Sequence, residues 1–375
     1  MKLLYIINTL AIHGGVERVL TDKVNWLVEY ANYDICLLIV NQGALPIIFP
    51  LNPKVKICDL DIRLYKIYQF PFWKRYFRLY QLRRLFRSRI SEKIRIFSPD
   101  IIVCSRMDYI CDVMKVRGDI PVVYESHNSM LFYKYENYSW IKRLKVKMWH
   151  KALKKVDMIV ALTHGDALEW KKRYTHVSVI PNVVHLNSTG RYCDSSSKSV
   201  IFVGRYTYQK DYSSLLQIWK YVHNKFPDWQ LHILGGYGGQ QEELKDKICK
   251  EDNIVVHQPS SSINDEYLKC SLLLMTSLYE PFGLVLPEAM SCGLPVVAFD
   301  CPYGPADIIT DGVDGFLIRD RCAESYISRV LQLITDKELR YKMGQAGIKS
   351  SQRYTADVIM PHWEKLFNEL MYKYE

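Results

Sequence analysis

Several things are missing from this chain. No apolar run approaches the ~20 residues of a membrane-spanning helix, which excludes a helical integral membrane protein. The ten cysteines form no Cys-x-x-Cys pair and have no histidine at zinc spacing. That excludes a zinc finger, and the scattered thiols read as reduced packing groups of a cytoplasmic protein. No internal repeat or low-complexity tract is present, so a solenoid is excluded. The full Gly-x-Gly-x-x-Gly dinucleotide fingerprint is absent. The N-terminus, Met1-Lys-Leu-Leu-Tyr-Ile-Ile7, has no cleavage site after its apolar residues and reads as a first buried strand rather than a signal peptide.

What is present bounds the answer further. A length of 375 residues suits two domains, and a hydrophobic fraction of 49% supports full cores. The formal charge of +10, with 27 Tyr and 8 Trp, points to an anionic partner: nucleotide, phospholipid or nucleic acid.

Short apolar runs alternate with amphipathic stretches, the pattern of parallel sheets covered by helices. Strands are expected at Leu3–Asn8, Ile35–Val40, Val55–Leu60, Asp100–Cys104, Val122–Glu125, Asp157–Thr163 and Val177–Pro181. A second series runs through Ser199–Gly204, Trp229–Leu234, Ile254–His257, Leu272–Thr276 and Val296–Phe299. A helix over Glu242–Cys249 follows the glycine cluster Gly235-Gly-Tyr-Gly-Gly239, which could approach a phosphate or be a plain loop. Polar, unpatterned His185–Ser199 reads as the linker. The domains are therefore expected at 1–185 and 199–352, with a terminal amphipathic helix in 353–375.

The densest signal is Leu278 to Leu317. After strand Leu272–Thr276 come Glu280, a Pro281-Phe-Gly283 turn, a short helix Leu284–Cys292 and Gly293 at a left-handed C-cap position. Free amides at Gly283-Leu284 and the positive end of the helix suit a phosphate. Glu280 and Glu288 flank them and can accept hydroxyls. A sugar nucleotide has that form: central diphosphate, ribose on one side, hexose on the other. Two isolated glutamates would more often be surface residues of an α/β crossover.

The intervening Pro-Phe-Gly-Leu-Val-Leu-Pro and the trailing Ala-Met-Ser-Cys-Gly-Leu-Pro-Val-Val-Ala change that weighting. The segment resembles the Glu-x7-Glu signature of retaining glycosyltransferases of family 4. The segment Gly204-Arg205-Tyr-Thr-Tyr-Gln-Lys210 resembles the same family's Gly-Arg-x4-Lys-Gly motif. Two cations after one strand suit a diphosphate, Arg205 as a fork and Lys210 as a point charge. Asp211 stands where the family usually has glycine, which leaves the loop's backbone angle open and puts a negative charge beside Lys210. The resemblance is strong in the C-terminal half and thin in the N-terminal half.

It implies the GT-B fold: α/β, two doubly wound Rossmann-like domains facing across a cleft, the terminal helix returning to the first. It implies a hexose or N-acetylhexosamine moved with retention from a nucleotide diphosphate, UDP being the family-level expectation, without a metal or other cofactor. Glu280 and His127 would be catalytic; Gly15, Arg205, Lys210, Phe282, Gly283, Leu284 and Glu288 would bind donor. Gly15 belongs to the Gly14-Gly15 turn between first strand and first helix, which alone is equally a plain tight turn. His127 sits in Glu125-Ser-His127-Asn128 at a strand end, where the alternative is a structural histidine.

Leu64–Phe97 interleaves Lys74, Arg75, Arg78, Arg83, Arg84, Arg87 and Arg89 with aromatic rings and has no acid before Glu92. Such a helix can lie on an anionic bilayer or turn one face to the core. Trp140–Val156 is a second basic helix. Together they suggest a lipid-linked or oligosaccharide acceptor at the inner face of a bacterial membrane, as in capsule or lipopolysaccharide assembly. Nucleic acid is not an expected partner, because no recognised nucleic-acid fold accompanies the charge. A GT-B epimerase or hydrolase, or a non-catalytic binding protein, remains open at this point.

Overall fold

The computed structural model describes residues 1–133, 140–236, 248, 253–258 and 262–374. The expected helix over Glu242–Cys249 lies outside the described residues except for Ile248, as do Tyr237-Gly238-Gly239. The chain divides into two compact units, 1–183 with 356–375, and 184–355.

The first unit is a seven-stranded parallel sheet: β1 Lys2–Ile7, β2 Asp34–Ile39, β3 Lys56–Asp59, β4 Ile101–Cys104, β5 Val122–Glu125, β6 Met158–Ala161 and β7 Val177–Val179. Their order is β3-β2-β1-β4-β5-β6-β7. The central strands are buried on both faces, as their Val/Ile/Leu runs require. Helices α1 Gly15–Glu29, α2 Phe72–Phe97, α3 Met107–Val116, α4 Trp140–Leu153 and α5 His164–Lys171 make the connections.

The second unit repeats the plan with six strands: β8 Ser199–Val203, β9 Gln230–Leu234, β10 Ile254–His257, β11 Leu272–Met275, β12 Val296–Phe299 and β13 Gly315–Ile318, ordered β10-β9-β8-β11-β12-β13. Its described helices are α6 Tyr212–Lys225, α7 Ile263–Leu268, α8 Val285–Ser291, α9 Gly304–Ile308, α10 Ala323–Thr335 and α11 Lys337–Ser351. In both sheets the order reverses beside the first strand. Loops leaving the carboxyl ends of β1 and β4, and of β8 and β11, diverge there and leave a crevice.

The last helix, α12 Ala356–Tyr374, belongs to the first unit. It buries Ile359, Met360, Trp363, Leu366, Phe367 and Leu370 in the core cluster that contains Val24 and Leu27 of α1. The polar segment expected as a linker lies along the second unit. Asn187 N donates to Ser291 Oγ at 3.0 Å, and Cys193 N to Cys292 O at 2.9 Å.

The two halves of helix α2 differ in burial. Phe86 and Ile90 are fully buried, while Arg83 and Arg87 clasp Asp112 of α3 at 2.6 and 2.8 Å. Its first half carries Trp73, Tyr76, Phe77 and Tyr80, all exposed, with Lys74 Nζ 4.8 Å from the Trp73 ring centroid. The core-facing alternative holds for the second half of the helix. Helix α4 likewise exposes Trp140, Leu144 and Met148 at helical spacing. No described helix is long and apolar enough to cross a membrane.

Candidate active site

In the second unit the switch point lies between β8 and β11. The loop after β8 closes in a one-turn 3-10 helix, Tyr208–Lys210, and the Lys210 stem passes over the bare face of Gly204. A Cβ at Gly204 would lie 3.0 Å from Lys210 Cγ and Cδ, so glycine makes room for the stem. Thr276 Oγ1 donates to the Lys210 and Asp211 carbonyls at 2.9 and 3.0 Å, joining this loop to the one after β11.

Lys210 Nζ reaches Glu280 Oε1 at 2.5 Å, and Ser277 Oγ donates to the same oxygen at 2.7 Å. Both charged side chains are largely buried, 13% and 7% exposed. The Glu280 backbone is held on both sides: its N–H donates to Pro302 O at 2.7 Å, and its carbonyl accepts from Tyr303 N and Gly304 N at 2.8 and 3.0 Å. Burial this deep removes competing water and strengthens the pair. Lys210 keeps two further N–H donors beside the carboxylate. The arrangement can grip an anion and a hydroxyl together.

Gly283 adopts φ +95°, which glycine takes without strain, and Gly293 closes α8 at φ +84°. The helix between them is one residue shorter at each end than its sequence pattern suggests, and no side chain caps its N-terminus. Glu288 lies half-buried on α8, where the Tyr267 hydroxyl donates to its Oε2 at 3.3 Å. Burial, then the Glu288 charge, pushes the Tyr267 phenol well above its ordinary value, so it remains a donor. Arg205 is exposed at the end of β8 and makes no side-chain ion pair among the described residues. Phe282 requires a correction. Its ring is buried edge-on against Tyr354, centroids 5.3 Å apart, so it packs the loop and only its backbone remains for a ligand.

Asp211 does what glycine would do. It sits in the left-handed region at φ 46°, ψ 58°, which aspartate tolerates. Its carboxylate caps α6, accepting from Ser214 N at 3.3 Å and Ser214 Oγ at 2.7 Å, and pairs with Arg321 at 2.5 Å.

In the first unit Gly15 is the exposed first residue of α1, again without a side-chain cap. His127 follows β5, but its ring is turned inward and only 6% exposed. Its Nε2 faces Glu125 Oε1 at 3.7 Å. Glu125 is itself buried and ion-paired with Lys23 of α1. The Lys23 ammonium lies 4.0 Å from the Trp363 ring centroid of α12 and 5.4 Å from that of Tyr5. Burial outweighs the pull of Glu125 and holds His127 below its ordinary value, as a neutral imidazole. Burial would raise the Glu125 carboxyl, but Lys23, through its charge and its hydrogen bond, overcomes it and leaves Glu125 below its ordinary value.

Sequence reasoning missed Ser277, Gly304, Arg321 and the buried Lys23–Glu125 pair. Gly304 lies inside the Leu278–Leu317 stretch and Ser277 immediately before it. Arg321 and Lys23 carry no local signal, since each meets its partner only through tertiary contact.

Two family models match the chain: Glycosyltransferase Family 4 over residues 13–188 and Glycosyl transferases group 1 over residues 193–350. The amylovoran biosynthesis glycosyltransferase AmsD of Erwinia amylovora is 30% identical over 380 residues, covering 98% of this chain and 99% of that protein. Among solved structures, sucrose-phosphate synthase from Thermosynechococcus elongatus superposes with a TM-score of 0.81 at 16% identity, covering 100% of both chains. Anabaena HepE in complex with UDP-glucose gives 0.75 at 18% identity, covering 98% of this chain and 100% of that one. The Lys210–Glu280 pair at a nucleotide-fold switch point, the two parallel sheets and these matches lead to one assignment: the chain belongs to glycosyltransferase family 4 and has the GT-B fold.

Proposed function

We propose that this glycosyltransferase moves a hexose or N-acetylhexosamine from a UDP-linked donor, with retention at the anomeric carbon, to a lipid-linked or oligosaccharide acceptor in bacterial cell-surface glycan synthesis. The observation that carries the reading is the Lys210–Glu280–Ser277 cluster at the carboxyl ends of β8 and β11. AmsD, whose name places it in amylovoran biosynthesis, and HepE, solved with UDP-glucose, support the product and donor classes.

Lys210 and Arg205 meet the diphosphate and stabilise the charge that grows on it as the glycosidic bond breaks. The Gly283 and Leu284 amides add to that charge field. Glu288 accepts the ribose hydroxyls. Glu280 accepts hexose hydroxyls and steadies the developing oxocarbenium ion. The acceptor oxygen attacks from the face the diphosphate leaves, and the departing phosphate oxygen takes its proton. Retention by this route needs no closely spaced carboxylate pair of the glycosidase kind. Lys210 and Arg205 supply the positive charge that a divalent ion gives other transferases, so EDTA leaves the rate unchanged.

The acceptor is presented at an anionic membrane surface. Trp73, Phe77 and Tyr80 on α2 and Trp140 on α4 are exposed rings beside lysines and arginines, suited to the headgroup region. The protein then works peripherally on the cytoplasmic face.

A thermal-shift screen of nucleotide sugars, followed by transfer assays with the donor that stabilises the protein, tests the proposal. Glu280→Gln and Lys210→Ala should abolish transfer while the fold persists; wild-type rates in both would overturn it. Sugar-nucleotide conversion without any acceptor would instead identify an epimerase or hydrolase.

A further inference from the structure

We propose that Arg321 is a positioning residue of the donor site: by neutralising Asp211 it keeps a second carboxylate from opposing the Lys210 ammonium, already paired with Glu280, at the diphosphate. The inference rests on the donor-site reading above and deepens it.

The problem it solves is local. Asp211 follows Lys210 directly, at the carboxyl end of the switch-point strand. A bare carboxylate there would oppose the same phosphate that Lys210 attracts, and would offer the ammonium a competing partner. The bonds its carboxylate accepts from α6, from Ser214 N at 3.3 Å and Ser214 Oγ at 2.7 Å, come from neutral groups. The charge itself is met from 110 residues away, by Arg321 Nη2 at 2.5 Å. The Asp211 side chain is 16% exposed and Arg321 33%, so water screens the pair only in part.

The guanidinium is held for this task. Its Nη1 donates to Ser277 O at 2.9 Å and its Nη2 to Thr276 O at 3.2 Å. Its carbon lies 4.6 Å from the Phe299 ring centroid. A planar fork stacked on a ring and bonded to two carbonyls is a fixed charge, which a lysine could not reproduce. These carbonyls belong to the loop that carries Ser277 and Glu280. Arg321 therefore touches both halves of the cluster: Asp211 beside Lys210, and the backbone leading to Glu280.

The loops are also tied without Arg321. Thr276 bonds the Lys210 and Asp211 carbonyls, Leu278 N donates to Gln209 O at 2.8 Å, and Gln209 Nε2 donates to Tyr279 O at 2.9 Å. Holding the loops together is thus shared among several bonds. Neutralising Asp211 falls to Arg321 among the described residues. That separates an electrostatic role from a merely structural one, and the two predict opposite outcomes when Asp211 is removed as well.

The test is donor binding by isothermal titration with the full chain and UDP-glucose, or whichever UDP-sugar the screen selects, at low and high salt. Arg321→Ala should weaken donor binding roughly tenfold at low salt, less at high salt. Donor KM should rise while acceptor KM stays put. Arg321→Ala/Asp211→Asn should return donor binding to within about twofold of wild type, because asparagine keeps the α6 cap and tolerates the left-handed angle without the charge. Arg321→Gln, which keeps polar reach without charge, carries the same comparison if the alanine variant does not fold. Unchanged donor binding in Arg321→Ala, or a double variant weaker than the single, overturns the inference while the donor site stands. A wild-type protein that binds no nucleotide sugar overturns the donor-site reading and this inference with it.

Discussion

Lys23→Met isolates the worth of a buried charge. Methionine nearly matches the length and bulk of the lysine stem, so the substitution removes the ammonium without opening a large cavity. What remains is Glu125, 2% exposed, without the partner that holds it ionised. Removing one member of a buried pair typically costs ~3–5 kcal/mol. A second route to the number agrees. The carboxyl can escape by taking a proton, and holding a group of ordinary value near 4.3 neutral at pH 7 costs about 3.7 kcal/mol. The cation–π contact with Trp363 is lost too, for roughly another 1 kcal/mol. For a unit of this size, ~3–5 kcal/mol lowers Tm by about 6–20 °C. The escape route fixes the pH dependence. In wild type the Glu125 carboxyl is held below its ordinary value, so its stabilisation is whole above that value and fades as pH falls. In Lys23→Met its folded value is raised instead, so the variant gains relative stability as pH falls. The carboxyl part of the penalty should shrink to about 1 kcal/mol at pH 5. Lys23→Met/Glu125→Gln has no carboxylate to strand, so it should recover at least half the loss and show no such slope. Urea unfolding followed by tryptophan fluorescence at pH 5, 6 and 7 measures all three. A penalty that does not change with pH, or single-variant losses that simply add, would refute the reasoning.

Other consequences are more local. A Cβ on Gly304 would lie 1.7 Å from Phe282 O, so Gly304→Ala must push the Pro281–Gly283 turn and break the Gly304 N–H bond to Glu280 O. It should cost ~1–3 kcal/mol in stability and at least tenfold in transfer rate, and wild-type transfer would show that the turn does not place Glu280. Burial, then the charges of Arg173 and Lys154, holds the His150 imidazole down at about 4. The unfolded chain protonates this histidine first, so stability is whole above pH 6.5 and declines as pH drops from 6.5 towards 4. In urea-midpoint series, His150→Gln should lack that component, and parallel slopes for variant and wild type would exclude it. Trp73→Ala/Phe77→Ala/Tyr80→Ala should reduce flotation with vesicles containing anionic phosphatidylglycerol by about tenfold to hundredfold without lowering Tm. Arg84→Ala should add to that loss, whereas Arg83 and Arg87, spent on Asp112, report on α3 packing instead.

Legibility in the sequence followed the range of the interactions. The strands were readable because parallel strands buried on both faces become apolar runs, and Leu272–Thr276 or Val296–Phe299 carry that mark without help from elsewhere. Glu280, Lys210 and Gly293 were readable because each belongs to one strand–loop–helix unit with its own turn chemistry. The outer aromatic stripe of α2 was visible as composition, but not its orientation. Periodicity alone could not say that Arg83 turns inward to Asp112 while Trp73 turns out.

The unread part has a common physical character. Lys23, Glu125 and Trp363 come from α1, the end of β5 and α12, and none is informative until the three meet. Arg321 looks like one more surface cation until it is found against Asp211. Asp211 shows why this matters for reading function. In the sequence it is a departure from a motif, with an open backbone angle and a charge in the wrong place. In the fold the angle is met by aspartate's tolerance of the left-handed region and the charge by Arg321. A motif position can therefore change residue type without losing its role when a distant side chain supplies the compensation. On the proposed reading, the compensated pair rather than the motif residue alone is the unit on which donor binding depends.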